Sequence, residues 1–239
     1  MGKHAILLSG GLNKKYNSRR YRNDLEFAYK ILIEDCGYNA ENIQIFFADG
    51  KDLKYGSVGI QTMAAEKKEL VNALQKMTEE LSPADSLTLI VSNHGGNAGL
   101  GCIYLWGNEF LELELLVQIL NKISASKNII LEECYGGNIL DMNVDNACIV
   151  TANERGLVSY GCLNSKLYEY DEFLLHFLSF IHGKYPDGKD IKTGENDIIK
   201  AHEYALKNDI FSPYNPQRYN GGCVETPQIK CNLSGKVRL

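Results

Sequence analysis

A chain of 239 residues, 44% hydrophobic and 23% charged, has ordinary globular composition and is long enough for one α/β domain with a buried sheet. Its net charge of -5 opposes nucleic-acid binding by phosphate neutralisation, and the one basic cluster, Arg19, Arg20 and Arg22, is too short to reverse that. No apolar run approaches the roughly 20 residues of a membrane span, and "MGKHAILLSGG" enters a strand directly with no signal-peptide pattern, so a cytoplasmic protein with reduced thiols is expected.

The first buried strand is expected at residues 4–9. Gly10 and Gly11 follow it, but "LLSGGLNKKY" lacks both G-x-G-x-x-G and G-x-x-x-x-G-K-[ST], which sets nucleotide binding aside. A helical pattern at 25–36 leads to a strand at 43–48. Next comes a glycine-bearing loop, 49–62, longer than a strand-to-helix connection needs. A helix at 65–81 precedes a strand at 87–92, a glycine-rich excursion at 95–101, a short hairpin at 102–106 and a helix at 111–123. Strands at 128–132 and 147–151 complete the regular part. Strands alternating with helices imply crossover connections, hence a mainly parallel central sheet with helices on both faces. Beyond 151 the pattern loosens into a polar stretch, 153–165, helices at 170–182 and 197–208, and a tail with one strand near 224–230. One domain spanning 1–239 is expected, less regular from about residue 183.

Two strands share an ending. "LTLIVSNHGG" stops at His94 and "NIILEECYGG" at Cys134, each a largely β-branched run closed by one reactive side chain and glycine. Ligands of an open parallel sheet collect outside the carboxyl ends of its strands. Neighbouring strands with these endings deliver an imidazole and a thiol to one edge. A thiol attacks a carbonyl as thiolate, which a basic neighbour makes accessible, and the same imidazole can protonate a departing amine. The amides of Gly95 and Cys134 are candidates for holding the developing oxyanion.

The other cysteines, at 36, 102, 148, 162, 223 and 231, form no C-x-x-C pair, and the five histidines lie at no zinc-ligand spacing from them. No metal or other cofactor is expected. Cys36, Cys102, Cys148 and Cys162 read as core or groove-edge thiols, His176 and His182 as packing or capping residues, and His202 with Glu203 as a solvated helix face. Trp106 fits either the core or the groove edge.

"SNHGG" and "LEECYGG" resemble the His-Gly and Glu-x-Cys-x-Gly blocks of the caspase-like cysteine peptidases, most closely the legumain branch, which also contains the catalytic subunit of GPI transamidase. "KYNSRRYRND", "GYNAENIQIFFADG", "TANERGLVSYGC" and "YEYDEFLLHFL" resemble four further blocks of that branch in the expected order, over roughly residues 6–180. The His-before-Cys order is the reverse of the papain-like arrangement.

The resemblance implies a caspase-like (caspase-hemoglobinase) α/β fold and a cysteine endopeptidase acting on protein or peptide substrates. Cys134 matches the nucleophile, His94 the general acid/base, and Asn17 an asparagine that supports the histidine. The specificity pocket would combine Arg19, by the Tyr-Asn-x-Arg spacing, with Glu132 and Asp171; one extra residue before Asp24 makes Arg20 the alternative. Ser159 lies in the segment that lines the substrate groove. One cation with two carboxylates suits the amide of Asn before the cut, and a dominant arginine would select Asp. The lack of a recognisable signal or prodomain suggests a prokaryotic, cytoplasmic relative. Activation would involve the loops 49–62 or 153–165. The alternatives are an acyl-transferring transamidase or ligase on the same scaffold, and a catalytically silent interaction module. The sequence leaves the number of subunits open.

Overall fold

The computed structural model describes residues 2–51, 53–162 and 169–239; positions 163–165 of the expected polar stretch and 166–168 after it lie outside the described residues. In chain order the elements are β1 (Lys3–Ser9), α1 (Arg19–Glu34), β2 (Ile43–Phe47), β3 (Leu53–Tyr55), β4 (Val58–Ile60), α2 (Lys67–Glu80), β5 (Ser86–Ser92) and β6 (Gly95–Gly96). They continue with β7 (Cys102–Leu105), β8 (Glu109–Glu112), α3 (Leu113–Leu120), β9 (Ser126–Leu131), β10 (Ala147–Thr151), α4 (Glu172–His182), α5 (Ile198–Asn208) and β11 (Gln228–Cys231).

Six strands make the central sheet in the order β11-β10-β9-β5-β1-β2, parallel throughout except for β11, which runs antiparallel to β10 at one edge. Because side chains alternate across a strand, each strand feeds two cores. Ala5, Leu7, Ile45, Ile90, Ile130 and Val150 pack with α1, α4 and α5 on one face. Ile6, Leu8, Phe46, Leu89, Ile129 and Ile149 pack with α2 and α3 on the other. Strands buried on both sides are why the sequence shows near-continuous apolar runs rather than alternation.

Three local features differ from the sequence expectation. Helix α1 starts at Arg19, not near residue 25, because the Ser18 hydroxyl caps it by accepting a bond from the Arg20 amide at 3.3 Å. The long loop 49–62 contains the β3–β4 hairpin, and the excursion after His94 forms a three-stranded sheet of β6, β7 and β8. His202 is buried, not solvated, with its ring bonded to the Pro227 carbonyl at 3.0 Å, because β11 and the tail before it close over α5.

The turn after β1 is held against the end of β2. Gly10 has φ of +118°, and a methyl there would stand 2.1 Å from the Ala48 nitrogen. Gly10→Ala is therefore expected to destabilise the protein by about 2 kcal/mol or more, read as a lowered Tm. Gly37 also has positive φ, at +73°, but faces open space; Gly37→Ala should cost only about 1 kcal/mol, the backbone share alone. Equal losses from the two would show that the close approach at Gly10 is unimportant.

Candidate active site

The pairing of β5 with β9 sets Val91 opposite Leu131, and the Glu132 amide continues the ladder by donating to the Val91 carbonyl at 3.0 Å. His94 and Cys134 each stand three residues beyond that matched pair, on strands about 4.8 Å apart. The two side chains therefore reach the same edge at the same level. Cys134 is half-buried, and its Sγ lies 3.9 Å from both the Ser159 carbonyl and the Ser159 hydroxyl. A methyl on Gly95 would stand 2.0 Å from the Cys134 carbonyl oxygen. Only glycine lets β6 pass so close to the cysteine backbone.

The His94 loop is pinned by Asn93, a buried residue that carries no signal in the sequence beyond its place before the histidine. Its carbonyl oxygen accepts from the amides of Gly11 at 2.8 Å and His94 at 2.9 Å, while its amide donates to the Tyr104 carbonyl at 2.8 Å. The His94 ring is met edge-on by Tyr16 and Tyr21, with centroids at 6.0 and 5.3 Å. The Tyr16 backbone carbonyl lies near enough to the ring to favour its charged form, the smallest of the influences on it. Burial, and then the Arg20 charge, lower the imidazole pKa below its usual value, against the opposing pull of Glu132. Asn17, next to Tyr16 in the chain, lines a cleft beyond the loop.

The two candidate arginines diverge because adjacent helix residues point about 100° apart. Arg19 faces outward, 73% exposed, on Glu169. Arg20 faces inward, 17% exposed, with its guanidinium 3.8 Å from Glu132 and 3.9 Å from Asp171. Of the two candidates, Arg20 is the one brought together with Glu132 and Asp171, while Arg19 lies apart from them on the surface. A methyl at Gly161 would meet Arg20 Nη1 at 2.9 Å, so the segment Ser159–Gly161 lies directly over the guanidinium. Ser159 donates to Glu132 at 3.4 Å.

Behind Arg20 lies a buried group of acids. Asp171 caps α4 by accepting from the Leu174 amide at 2.8 Å, and its carboxyl faces that of Glu132 across Arg20. Burial, followed by the Glu132 charge, raises Asp171 well above the usual carboxyl range. Asp24, which accepts from the Ser92 hydroxyl and the Asp171 amide, is raised by burial to about 7. Glu225 accepts from the Tyr160 amide at 2.6 Å and has the Asp209 carboxyl beside it; burial raises Glu225 well above its usual range and Asp209 to about 7. Glu133, beside Cys134, is wholly buried against Gly95 and Gly136, and burial lifts it to about 8. Neither Glu133 nor Glu225 is readable from sequence as part of the site, since carboxylates are ordinarily solvated.

A mainly parallel sheet with helices on both faces, and with histidine and cysteine at the ends of adjacent strands, defines a protein of the caspase-like α/β class. Two solved structures share the fold. A structural-genomics protein from Geobacter sulfurreducens superposes with a TM-score of 0.64 at 13% identity over 96% of this chain and 93% of its own. Caspase-1 from Spodoptera frugiperda gives 0.63 at 13% identity over 95% and 85%. No curated protein sequence matches the chain. Residues 51–201 match the Peptidase C13 family, so the chain belongs to that family and is a cysteine peptidase.

The buried acids make stability depend on pH. Asp24, Glu133 and Asp209, with Asp171 and Glu225, hold protons in the folded chain that the unfolded chain loses in the ordinary carboxyl range. Stability is therefore greatest below that range and falls as pH rises through 7 and 8. The lowered pKa values of buried His94 and His202 act in the opposite direction, but only below 6.5. A fall in Tm on the order of 5 °C is expected between about pH 6.5 and 8.5, and Glu133→Gln should make it shallower. A Tm that is flat or rising over this interval would contradict the protonated-acid reading.

Proposed function

We propose that the chain cleaves polypeptides after a polar residue, Asn in preference to Asp, through a Cys134 acyl-enzyme with His94 as general acid and base. The register of β5 and β9, which brings His94 and Cys134 out level at one sheet edge, is the observation that carries this reading. His94, kept neutral by burial, accepts the thiol proton as Sγ bonds to the substrate carbonyl carbon. The amides of Gly95 and Cys134 are the proposed donors to the oxyanion. The proton then passes from His94 to the amide nitrogen as the carbon–nitrogen bond breaks. A water, deprotonated by the same imidazole, attacks the thioester, releasing the acid and restoring the thiol.

Charge balance in the pocket favours Asn. Arg20 is already matched by Glu132, while the protonated Asp171 adds no charge. An anionic side chain would bring a second negative charge onto a guanidinium that has one, whereas a carboxamide offers both an acceptor and a donor. The mixed-charge pocket also favours the legumain branch of the family.

A peptide series varied before the scissile bond, assayed with wild type and Cys134→Ala, tests the reading. Turnover should fall by about 10³-fold or more in the variant, and Asn should be preferred over Asp by about tenfold. The acidic limb of kcat/KM should lie below 6.5, because the His94 pKa is lowered. Cleavage that survives Cys134→Ala would remove the proposed nucleophile, and equal rates for all residues before the cut would remove the pocket.

A further inference from the structure

On the far side of the His94 loop from Cys134 lies a cleft of about 440 Å³ at the carboxyl ends of β1 and β2. Its walls include Lys14, Arg19, Arg22 and Lys51 above an apolar floor of Phe47 and Trp106, with Asp49 the one carboxylate among the described lining residues. Four cations gathered in one cleft run against the net charge of -5. Two of them, Arg19 and Arg22, sit in the first turn of α1, where the helix dipole disfavours positive charge and which itself holds no acid. Lys51 pairs with Asp49 at 2.8 Å, Arg19 with Glu169, and Arg22 with Glu26 at 3.8 Å while its guanidinium stands over Phe47. Lys14 has no anionic partner among the described residues. These pairs are exposed and weak, so the cleft keeps an excess of positive charge.

Its position gives that charge a use. Ser159 touches Cys134 from the β10 side, and His94 flanks it from the β5 side. Since His94 hands its proton to the departing nitrogen, the fragment beyond the cut leaves over His94, past Tyr16, toward β1 and β2. The same loop that presses Tyr16 on the imidazole presents Asn17 and Ser18 to the cleft. From β5 to the β1–β2 edge is about two strand spacings, roughly 10 Å, which an extended peptide covers in about three residues.

We propose that this cleft is a leaving-side subsite for acidic side chains, engaging Asp or Glu two or three residues after the scissile bond. The proposal rests on the His94–Cys134 dyad, and it adds a second specificity element, on the opposite side of the bond from Arg20. The preference is electrostatic, made by flexible exposed cations, and it therefore weakens with salt.

The test uses peptides with one constant half before the cut and Ala, Asp, Glu or Lys at the second and third positions after it. Asp or Glu should raise kcat/KM about fivefold over Ala, Lys should lower it, and about 0.5 M salt should erase the difference. Lys14→Glu with Lys51→Glu should abolish the acid preference and leave cleavage of the Ala peptide unchanged. Fluorescence anisotropy of the uncut peptides on Cys134→Ala protein reads the same preference without turnover. Rates and affinities indifferent to charge after the cut would overturn the subsite while leaving the peptidase reading intact, and so would an acid preference that survives both lysine reversals. A wild type that cuts no peptide, with Cys134 unreactive to thiol-directed alkylation, would instead defeat the dyad and this proposal with it.

Discussion

Parallel pairing of β5 with β9 is the constraint on which the site depends. A parallel ladder fixes register along its whole length, and both strands are buried on two faces, so neither can slip by one residue without turning a full set of apolar side chains out of its core. Leu89, Val91, Ile129 and Leu131 lock one face while Ile90 and Ile130 lock the other. Three residues past the last matched pair, that rigidity is spent on aligning an imidazole with a thiol. Two glycines complete the alignment: Gly95 admits the Cys134 carbonyl, and Gly137, where a methyl would stand 2.3 Å from the Asn153 carbonyl, lets the chain after Cys134 fold back under the next strand.

The second layer is electrostatic. A buried arginine is tolerable only with partners, and Arg20 has Glu132 and Asp171, with Tyr21 beneath its guanidinium at 5.0 Å. Those acids draw in others, because a carboxyl excluded from water is most cheaply kept protonated beside a neighbouring carboxyl. The Asp171–Glu132 and Glu225–Asp209 pairs follow that logic. Glu225 ties the C-terminal tail to the Tyr160 amide, and Tyr160 stacks on Phe211 at 4.6 Å. The tail thus braces the segment over Arg20 through a buried acid.

Much of the fold is legible in the sequence. The strands announced themselves as short β-branched runs, and the abrupt endings at His94 and Cys134 marked the edge where chemistry would sit. What the sequence did not carry was phase and depth. Whether Arg19 or Arg20 turns inward depends on where α1 begins, and the apolar pattern from Leu25 onward places that start too late; the Ser18 cap sets it. Asn93 and Glu133 each adjoin a catalytic candidate, yet nothing in their type distinguishes a buried loop anchor or a buried proton holder from a surface residue. His202 was misplaced for a related reason, since it is the tail folding back from far along the chain that covers it.

Depth also changes what the formal charge means. The count of -5 treats every acid as ionised and equally distant from a ligand, but several of the acids lie inside, holding protons around Arg20 and below Cys134. Cations such as Lys14, Arg19 and Lys51 lie outside, at the rim of the cleft beyond His94. Buried neutral acids project little field into solvent, whereas exposed lysines and arginines project theirs over roughly a Debye length. A polypeptide approaching the sheet edge therefore meets a field more positive near His94 than the composition suggests. A phosphate-backbone binder needs a broad basic face, whereas a short acidic segment can use a local one that the sequence total conceals.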